Sequence, residues 1–208
     1  MAVVDDHEVL AASLAHVLDS QRDLECVGTA VSLERGRELV IATRPDVLLL
    51  DHGLPDGDGV SAIPGFLDLV PGLRVVVLTA NVSDHVLIRA MESGAAGFVP
   101  KTRGLAEVTA AVRSAAAGES VISAELLARL LPRLSGLHTG RHEALTDRER
   151  DVLVLLAEGL TNVAIADRLV VSVHTVRNHV ANLSGKLGAH SKLEALSIAV
   201  REGLLPDR

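Results

Sequence analysis

The stretch VLLLDHGLPDGDG, residues 47–59, decides the fold of the first part of this chain. Four consecutive apolar residues, Val47 to Leu50, run directly into Asp51, and a loop rich in Pro, Gly and Asp follows. An unbroken apolar run bounded by turn residues is typical of a strand buried on both faces, as in a parallel sheet. Open α/β folds place their ligand sites at the carboxyl ends of such strands. Asp51 is therefore either part of a site at the sheet edge or a simple turn residue.

Apolar runs alternate with amphipathic segments through the first 118 residues. Five strands are predicted at 2–4, 24–30, 47–50, 74–78 and 96–99, and five helices at 7–19, 32–42, 59–69, 84–93 and 104–117. This alternation predicts an α/β domain with a five-stranded, doubly wound parallel sheet that carries helices on both faces. Gly94 and Gly118 are placed to end two of the helices.

Polar residues follow four of the five predicted strands. Asp5 and Asp6 follow the first, Asp51 the third, Thr79 the fourth, and Lys101 lies just beyond the fifth. Three carboxylates at one sheet edge repel one another unless a cation lies among them, and an all-oxygen ligand set suits Mg²⁺. The sequence thus predicts a magnesium site formed by Asp5, Asp6 and Asp51. One carboxylate can attack a phosphoryl donor there, with Lys101 and Thr79 binding the transferred oxygens.

These residues, together with the segment GAAGFVPK at 94–101, resemble the receiver domain of two-component response regulators. The resemblance implies a flavodoxin-like fold, Mg²⁺ as the cofactor and a sensor histidine kinase as a partner. By position it implies Asp51 as phosphoacceptor, Asp5 and Asp6 as the metal-binding pair completed by the backbone carbonyl of Gly53, Thr79 as a switch hydroxyl, Lys101 as a phosphoryl ligand and Phe98 as an aromatic switch. Phe98 also suits an ordinary core position, and this alternative stays open.

Two alternatives to control by phosphorylation remain at this point. The receiver could act as a phosphorylation-independent dimerisation or ligand-controlled module, which the short first strand favours because only four residues precede Asp5. The chain could also be a metal-dependent phosphohydrolase with Asp51 as its nucleophile. A receiver of this length has no evident substrate-binding insertion, so the chain is expected not to be an enzyme.

Composition limits the classes of partner. The net charge of the 208-residue chain is −7, and the acidic excess lies before residue 141, where 18 acidic residues face 11 basic ones; 9 of each follow. Without Trp or Tyr and with only two Phe, the chain has little to stack on unpaired bases, which disfavours single-strand recognition. No apolar run approaches the roughly 18 residues that span a bilayer, which predicts a cytoplasmic protein with no membrane partner. The single cysteine, Cys26, excludes an intramolecular disulfide.

Residues 119–144 are expected to connect the two parts of the chain. Ser123 can cap a short helix over 124–134, in which leucines form an apolar stripe. The following residues, 135–142, are small and polar without periodicity, which predicts a flexible linker. His138 and His142 are four positions apart, but without a helical pattern they are expected to be solvated rather than to hold a metal.

The segment from 145 to 208 predicts a second, smaller, all-α domain of four short helices. Capping-box spacing opens the first helix at Thr146, and Ser172 and Ser191 are placed to cap the third and fourth. In the helix at 173–187 apolar residues recur every three or four positions and face inward. The opposite face carries His174, Thr175, Arg177, Asn178, His179 and Asn182, and no acid. Such a face suits contact with bases and phosphates in a major groove better than plain solvation.

Residues 145–192 resemble the LuxR-type helix-turn-helix of the NarL/FixJ regulators along their whole length. The resemblance implies that the helix at 173–187 enters the major groove of double-stranded DNA. Arg177 and Asn178 would read bases, with Thr175, His179 and Lys186 nearer the backbone and the last helix forming a dimer surface. The chain is accordingly identified as a response-regulator transcription factor of the NarL/FixJ family. Phosphorylation at Asp51 is expected to promote a homodimer that binds promoter DNA.

Overall fold

The computed structural model of the chain describes residues 1–80, 83–134 and 145–205. The chain divides into two compact units, Met1–Val121 and Ile122–Arg208. The expected division at residues 118 and 144 stays a prediction. The expected flexible linker, with His138 and His142, falls outside the described residues.

The first unit is an α/β domain built on a parallel sheet. Its strands are β1 (Ala2–Val4), β2 (Gly28–Ala30), β3 (Val47–Asp51), β4 (Gly53–Leu54), β5 (Gly57–Asp58), β6 (Arg74–Thr79) and β7 (Gly97–Pro100), and its helices are α1 (Glu8–Asp19), α2 (Leu33–Thr43), α3 (Gly59–Leu69), α4 (Asp84–Glu92) and α5 (Leu105–Ala116). Five strands pair in parallel in the order β2-β1-β3-β6-β7. Strands β4 and β5 form a small antiparallel hairpin directly after β3. The predicted five-stranded parallel sheet is confirmed.

Helices cover both faces of the sheet. On one face Leu49 and Val76 pack with Leu14 of α1 and with residues of α5 in a single buried cluster. On the other face Gly36 of α2 lies so close to Val4 that a Cβ atom at residue 36 would be 2.8 Å from Val4 Cγ2. Alternate residues of the strands therefore enter two different cores, which explains why the apolar run before Asp51 is unbroken.

The second strand is shorter than the sequence predicts. The apolar run covers residues 24–30, but only Gly28–Ala30 pairs with β1. Before it, the backbone N–H of Cys26 donates to Asp19 Oδ1 at 2.6 Å, and the backbone N–H of Val27 donates to the carbonyl of Met1 at 2.9 Å. Leu24 and Cys26 still pack against the core as partly buried residues. Their apolar character therefore serves packing rather than strand pairing.

The second unit consists of helices. They are α6 (Ala124–Leu130), a 3₁₀ turn (Leu131–Arg133), α7 (Asp147–Ala157), α8 (Asn162–Leu169), α9 (Val173–Leu187) and α10 (Lys192–Arg201). Ser123 caps α6 as predicted. The α-helix ends at Leu130 rather than at 134, because Pro132 cannot supply a backbone N–H and the chain continues as the tighter turn.

Hydrogen-bonded caps begin the helices that follow. Thr146 and Glu149 form the predicted capping box at α7. The hydroxyl oxygens of Ser172 and Ser191 accept backbone N–H groups at the starts of α9 and α10, at 3.0 and 3.1 Å. Helices α7 to α10 thus confirm the predicted helical domain. No helix within the three described ranges is long and apolar enough to cross a membrane.

Gly59 allows α3 to begin directly against the end of β3. A Cβ atom at residue 59 would lie 1.9 Å from the backbone oxygen of Asp51, far inside any tolerated contact. Gly65, in the same helix, is exposed, and a Cβ atom there would meet nothing within 4 Å. The space that a Cβ atom would occupy is therefore filled by backbone at Gly59 and open at Gly65.

We expect Gly59→Ala to lower the free energy of unfolding of the first unit by about 1–3 kcal/mol, because the methyl group must displace the backbone at Asp51. Gly65→Ala should raise it by roughly 0.5–1 kcal/mol through better helix propensity. Urea unfolding followed by far-ultraviolet circular dichroism measures both. Equal effects of the two substitutions would contradict this account of Gly59.

Candidate functional site

Polar residues from the ends of three strands come together at the carboxyl edge of the sheet. Asp5, after β1, is fully buried, and Asp51, at the end of β3, is 4% exposed. The ammonium of Lys101, after β7, lies 2.9 Å from Asp5 Oδ2 and 2.8 Å from Asp51 Oδ2. The backbone N–H of Lys101 donates to the carbonyl of Thr79 at 2.8 Å. One cation thus bridges two buried carboxylates.

The charges in this cluster shift one another's protonation. Burial raises the pKa of the Asp51 carboxyl, and the hydrogen bond from Lys101 offsets this only in part, while the nearby charge of Asp5 adds to it. Burial by itself would lower the pKa of Lys101, but its hydrogen bonds to Asp5 and Asp51 outweigh burial, so that pKa is raised. The ammonium therefore stays charged, and by formal charge one cation faces two carboxylates.

The residues beside Lys101 fit a divalent cation. Asp5, Asp6, His7 and Asp51 each offer one ligand atom, and these atoms all lie within 4.8 Å of one another. Asp5 Oδ2 is buried and faces the Lys101 ammonium at 2.9 Å. Carboxylate oxygens with unused acceptor capacity are the ligands that Mg²⁺ prefers. The donor set is thus chemically suited to the predicted ion.

The loop after Asp51 is tied to helices at both of its ends. Gly53 is exposed, and its backbone hydrogen-bonds the Asp51 carboxylate. Asp56 accepts the N–H groups of the first two residues of α2 at 2.8 and 3.0 Å. Asp58 caps α3 and forms an ion pair with Arg89 of α4. The sequence identifies these acids only as turn residues, because their partners lie 22 to 31 positions away.

The two predicted switch residues lie in the interior. Thr79 is 1% exposed and Phe98 is 6% exposed. The backbone N–H of Phe98 donates to the carbonyl of Val121 at 3.1 Å, which ties β7 to the end of the first unit. This position satisfies the packing role of Phe98, and its switch role stays a prediction.

Helix α9 has one apolar face and one polar face. Val176, Leu183 and Leu187 are buried, as the spacing predicts. The exposed side chains are those of His174, Arg177, Asn178 and Asn182, and those of Thr175 and His179 are half-buried. Asn178 Nδ2 lies 3.3 Å from His174 Nε2, one turn earlier on the same face. The exposed face combines amide, imidazole and guanidinium groups without a carboxylate.

Lys186 differs from the other residues expected near DNA. Its ammonium lies 2.8 Å from Glu149 Oε2, and its side chain is 20% exposed. The same carboxylate oxygen accepts the backbone N–H of Thr146 at 2.8 Å in the capping box. Lys186 thus holds α9 against the beginning of α7.

Comparison with known proteins decides the family. The receiver domain of response regulators matches residues 1–113, and the DNA-binding domain of the bacterial regulatory proteins of the luxR family matches residues 143–199. The chain is a LuxR-type response regulator.

Full-length relatives of this response regulator share both domains. It is 39% identical over 199 residues to the DNA-binding transcriptional activator DevR/DosR of Mycobacterium tuberculosis, over 95% of this chain and 92% of that protein. It is 33% identical over 205 residues to the transcriptional regulatory protein LiaR of Bacillus subtilis, over 98% and 97%. Among solved structures, response regulator ChrA of a heme-sensing two-component system is 28% identical, with a TM-score of 0.50 and coverage of 98% and 97%. The expected family is confirmed, and no finding favours the phosphorylation-independent alternative.

The pKa of Glu149 makes the α7–α9 contact of this response regulator testable. Burial by itself would raise the pKa of this carboxyl, but its hydrogen bonds with Lys186 and Thr146 outweigh burial, so the pKa lies below its usual 4.5. A carboxyl whose pKa is lower in the folded state stabilises that state above the unfolded pKa. This contribution disappears as the pH falls through the folded pKa.

We therefore expect Glu149→Gln to reduce the loss of thermal stability on acidification below about pH 4.5, since glutamine keeps the capping-box spacing but lacks the charge. Asp151→Asn, at an exposed ion pair on the same helix, is the control and should change the pH dependence little. Thermal unfolding followed by circular dichroism at a series of pH values measures the effect. An acid sensitivity that is identical in wild type and Glu149→Gln would contradict the role of this pair.

Proposed function

We propose that phosphoryl transfer to Asp51 controls this response regulator and that helix α9 reads promoter DNA. The observation that carries the proposal is the position of the Asp51 carboxylate: at a buried strand end, 2.8 Å from the Lys101 ammonium, with Asp5 and Asp6 beside it. A carboxylate in this position can act as a nucleophile, because the Lys101 ammonium beside it can bind an incoming phosphoryl oxygen, and Mg²⁺ held by the acids would add further positive charge.

In the proposed reaction an Asp51 oxygen forms a bond to phosphorus, and the bond between phosphorus and the kinase's histidine breaks. The Lys101 ammonium and the Thr79 hydroxyl bind oxygens of the transferred group. Asp5 and Asp6, with the Asp51 carboxylate and the Gly53 carbonyl, would hold Mg²⁺. When bound, that ion supplies positive charge against which the anionic donor and acceptor can approach.

The phosphoryl group is proposed to act on the rest of the receiver through two buried residues. Thr79 would move toward the new anion, and Phe98 would fill the space that it leaves. In a close-packed interior such a shift repacks the neighbouring surface rather than being absorbed locally. The repacked surface would favour a homodimer in the cytoplasm.

The second unit is proposed to bind double-stranded DNA with α9 in the major groove. Arg177 and Asn178 are exposed on its acid-free face and would contact bases, while Thr175 and His179 would lie nearer the phosphates. Lys186 anchors α9 through its ion pair with Glu149 and, as expected from the sequence, would also lie nearer the phosphate backbone. With few cations on the face, binding by one subunit is expected to be weak and to strengthen when two subunits bind linked half-sites.

Incubation of the wild-type protein with Mg²⁺ and a small phosphodonor is expected to add one phosphoryl group, and Asp51→Asn is expected to abolish it. Intact-mass spectrometry provides the measurement. Asp56→Asn, in the same loop and with its carboxylate engaged at α2, is a matched control that should keep the adduct. A folded wild-type protein without an adduct would favour the phosphorylation-independent module instead.

Arg177→Ala is expected to weaken binding to a cognate duplex by about 1–3 kcal/mol and to reduce discrimination among base pairs, because a bidentate base contact is lost. Arg148→Ala removes the same charge from an exposed, ion-paired position on α7 and serves as the control. Titrations at one fixed salt concentration measure both. A uniform loss across all sequences in Arg177→Ala would show that this residue contacts phosphate rather than bases.

A further inference from the structure

Arg89 of α4 contacts the loop that follows the proposed phosphoacceptor. Its Nη2 atom donates to Asp58 Oδ2 at 2.5 Å and to Ser61 Oγ at 2.6 Å. The Ser61 hydroxyl donates to the same Asp58 oxygen at 3.0 Å, so the three side chains form a closed triangle of hydrogen bonds. Because Asp58 lies 31 positions before Arg89 in the chain, this contact joins α4 to the beginning of α3.

Asp58 lies opposite the residue that touches the Asp51 carboxylate. In the β4–β5 hairpin Asp58 pairs with Gly53. The backbone of Gly53 hydrogen-bonds the Asp51 carboxylate. Asp58 also accepts the backbone N–H of Val60 at 2.9 Å, which fixes it at the start of α3. A continuous set of contacts thus connects α4 to the proposed phosphoacceptor.

We propose that Arg89 is a positioning residue for phosphoryl transfer to Asp51, acting from α4 through the Asp58 side chain and the β4–β5 hairpin. This inference rests on the proposed function, because it concerns the residue that would receive the phosphoryl group. Arg89 holds the hairpin in place, and the hairpin in turn orients the Asp51 carboxylate for attack on phosphorus. The site thereby includes a residue of a helix in addition to the polar strand ends.

The charge of Asp58 suits this role. Burial by itself would raise the pKa of the Asp58 carboxyl, but its hydrogen bonds with Arg89, with Ser61 and with a backbone N–H outweigh burial, so that pKa lies below its ordinary value. Asp58 is therefore ionised near neutral pH. Hydrogen bonds between ionised groups are shorter and stronger than those between neutral groups. The guanidinium is thus held to the hairpin by a charge-assisted contact.

Helix α4 provides a fixed base for this contact. Val86, Leu87, Ala90 and Met91 of the helix are buried, and the helix packs against α3 and β7. Close-packed side chains resist displacement, so Arg89 extends from a helix that the core holds in place. A displacement of a reacting group by about 1 Å can lower a rate about 100-fold. Loss of this anchor should therefore slow phosphoryl transfer.

The same pair is expected to matter little for global stability. The side chains of Arg89 and Asp58 are 37% and 33% exposed, and water screens an ion pair that is exposed to this extent. A purely structural surface pair would change neither stability nor rate. A positioning pair would change the rate while the stability of the fold stays nearly the same.

The test uses the full-length protein with Mg²⁺ and acetyl phosphate, and intact-mass spectrometry of samples quenched over time to follow the adduct on Asp51. Arg89→Ala is expected to lower the first-order rate at saturating acetyl phosphate about 10-fold. The donor concentration that gives half of the maximal rate should change less than about twofold, because Arg89 orients the acceptor rather than binding the donor. Arg113→Ala, which removes the same charge from an exposed ion pair between α5 and Asp23, is the matched control and should keep the wild-type rate.

Asp58→Asn is a second, independent variant, because asparagine still caps α3 but lacks the charge that binds Arg89. It should slow the transfer about as much as Arg89→Ala does. The double variant should be no slower than Asp58→Asn alone, since both substitutions break the same contact. All variants should keep the wild-type circular dichroism spectrum.

A wild-type rate in Arg89→Ala, or single effects that multiply in the double variant, would overturn the inference about Arg89 and leave the proposed function standing. A folded wild-type protein that acquires no adduct on Asp51 would instead overturn the proposed function, and the inference with it.

Discussion

The carboxyl edge of the sheet depends on the Lys101 ammonium, which lies between the buried carboxylates of Asp5 and Asp51. Removing one partner from a buried charge cluster typically costs about 3–5 kcal/mol, because the remaining charges stay unpaired in a medium of low polarity. The backbone of Lys101 is also bonded to Thr79, so the residue joins the charge cluster to the strands themselves. The cluster is ordered although it is short of positive charge. Binding of a cation or transfer of a phosphoryl group therefore changes the electrostatic interactions among all the charged residues at this edge of the sheet.

The second unit also carries few positive charges on the helix proposed to bind DNA. Helix α9 contains only two cations, Arg177 and Lys186, and Glu149 binds the second of them inside the unit. The proposed role of the outward face in DNA binding rests on the absence of acids rather than on a high positive charge. A single copy of such a face has limited electrostatic attraction for phosphates. The proposed binding through a dimer would compensate for this physical weakness.

The sequence predicts the sheet and the converging carboxylates well, because strands buried on both faces and polar strand ends are local patterns, as at 47–51. The sequence overestimates the length of β2. The apolar character of Leu24 reflects its burial, and it does not show whether a neighbouring strand is available for pairing. The sequence cannot identify the Asp58–Arg89 link or the partner of Lys186, because these contacts join residues far apart in the chain. Ion pairs between elements that are far apart in the sequence can be identified only once the fold is known.

The most direct test of the account is the affinity of the protein for a duplex selected from a random pool, measured with and without a small phosphodonor, for wild type and for Asp51→Asn. If phosphorylation of Asp51 controls DNA binding, the phosphodonor strengthens binding by wild type at constant salt concentration and has no effect on Asp51→Asn. Equal affinities of wild type under both conditions, in a preparation that carries the phosphoryl group on Asp51, would contradict it.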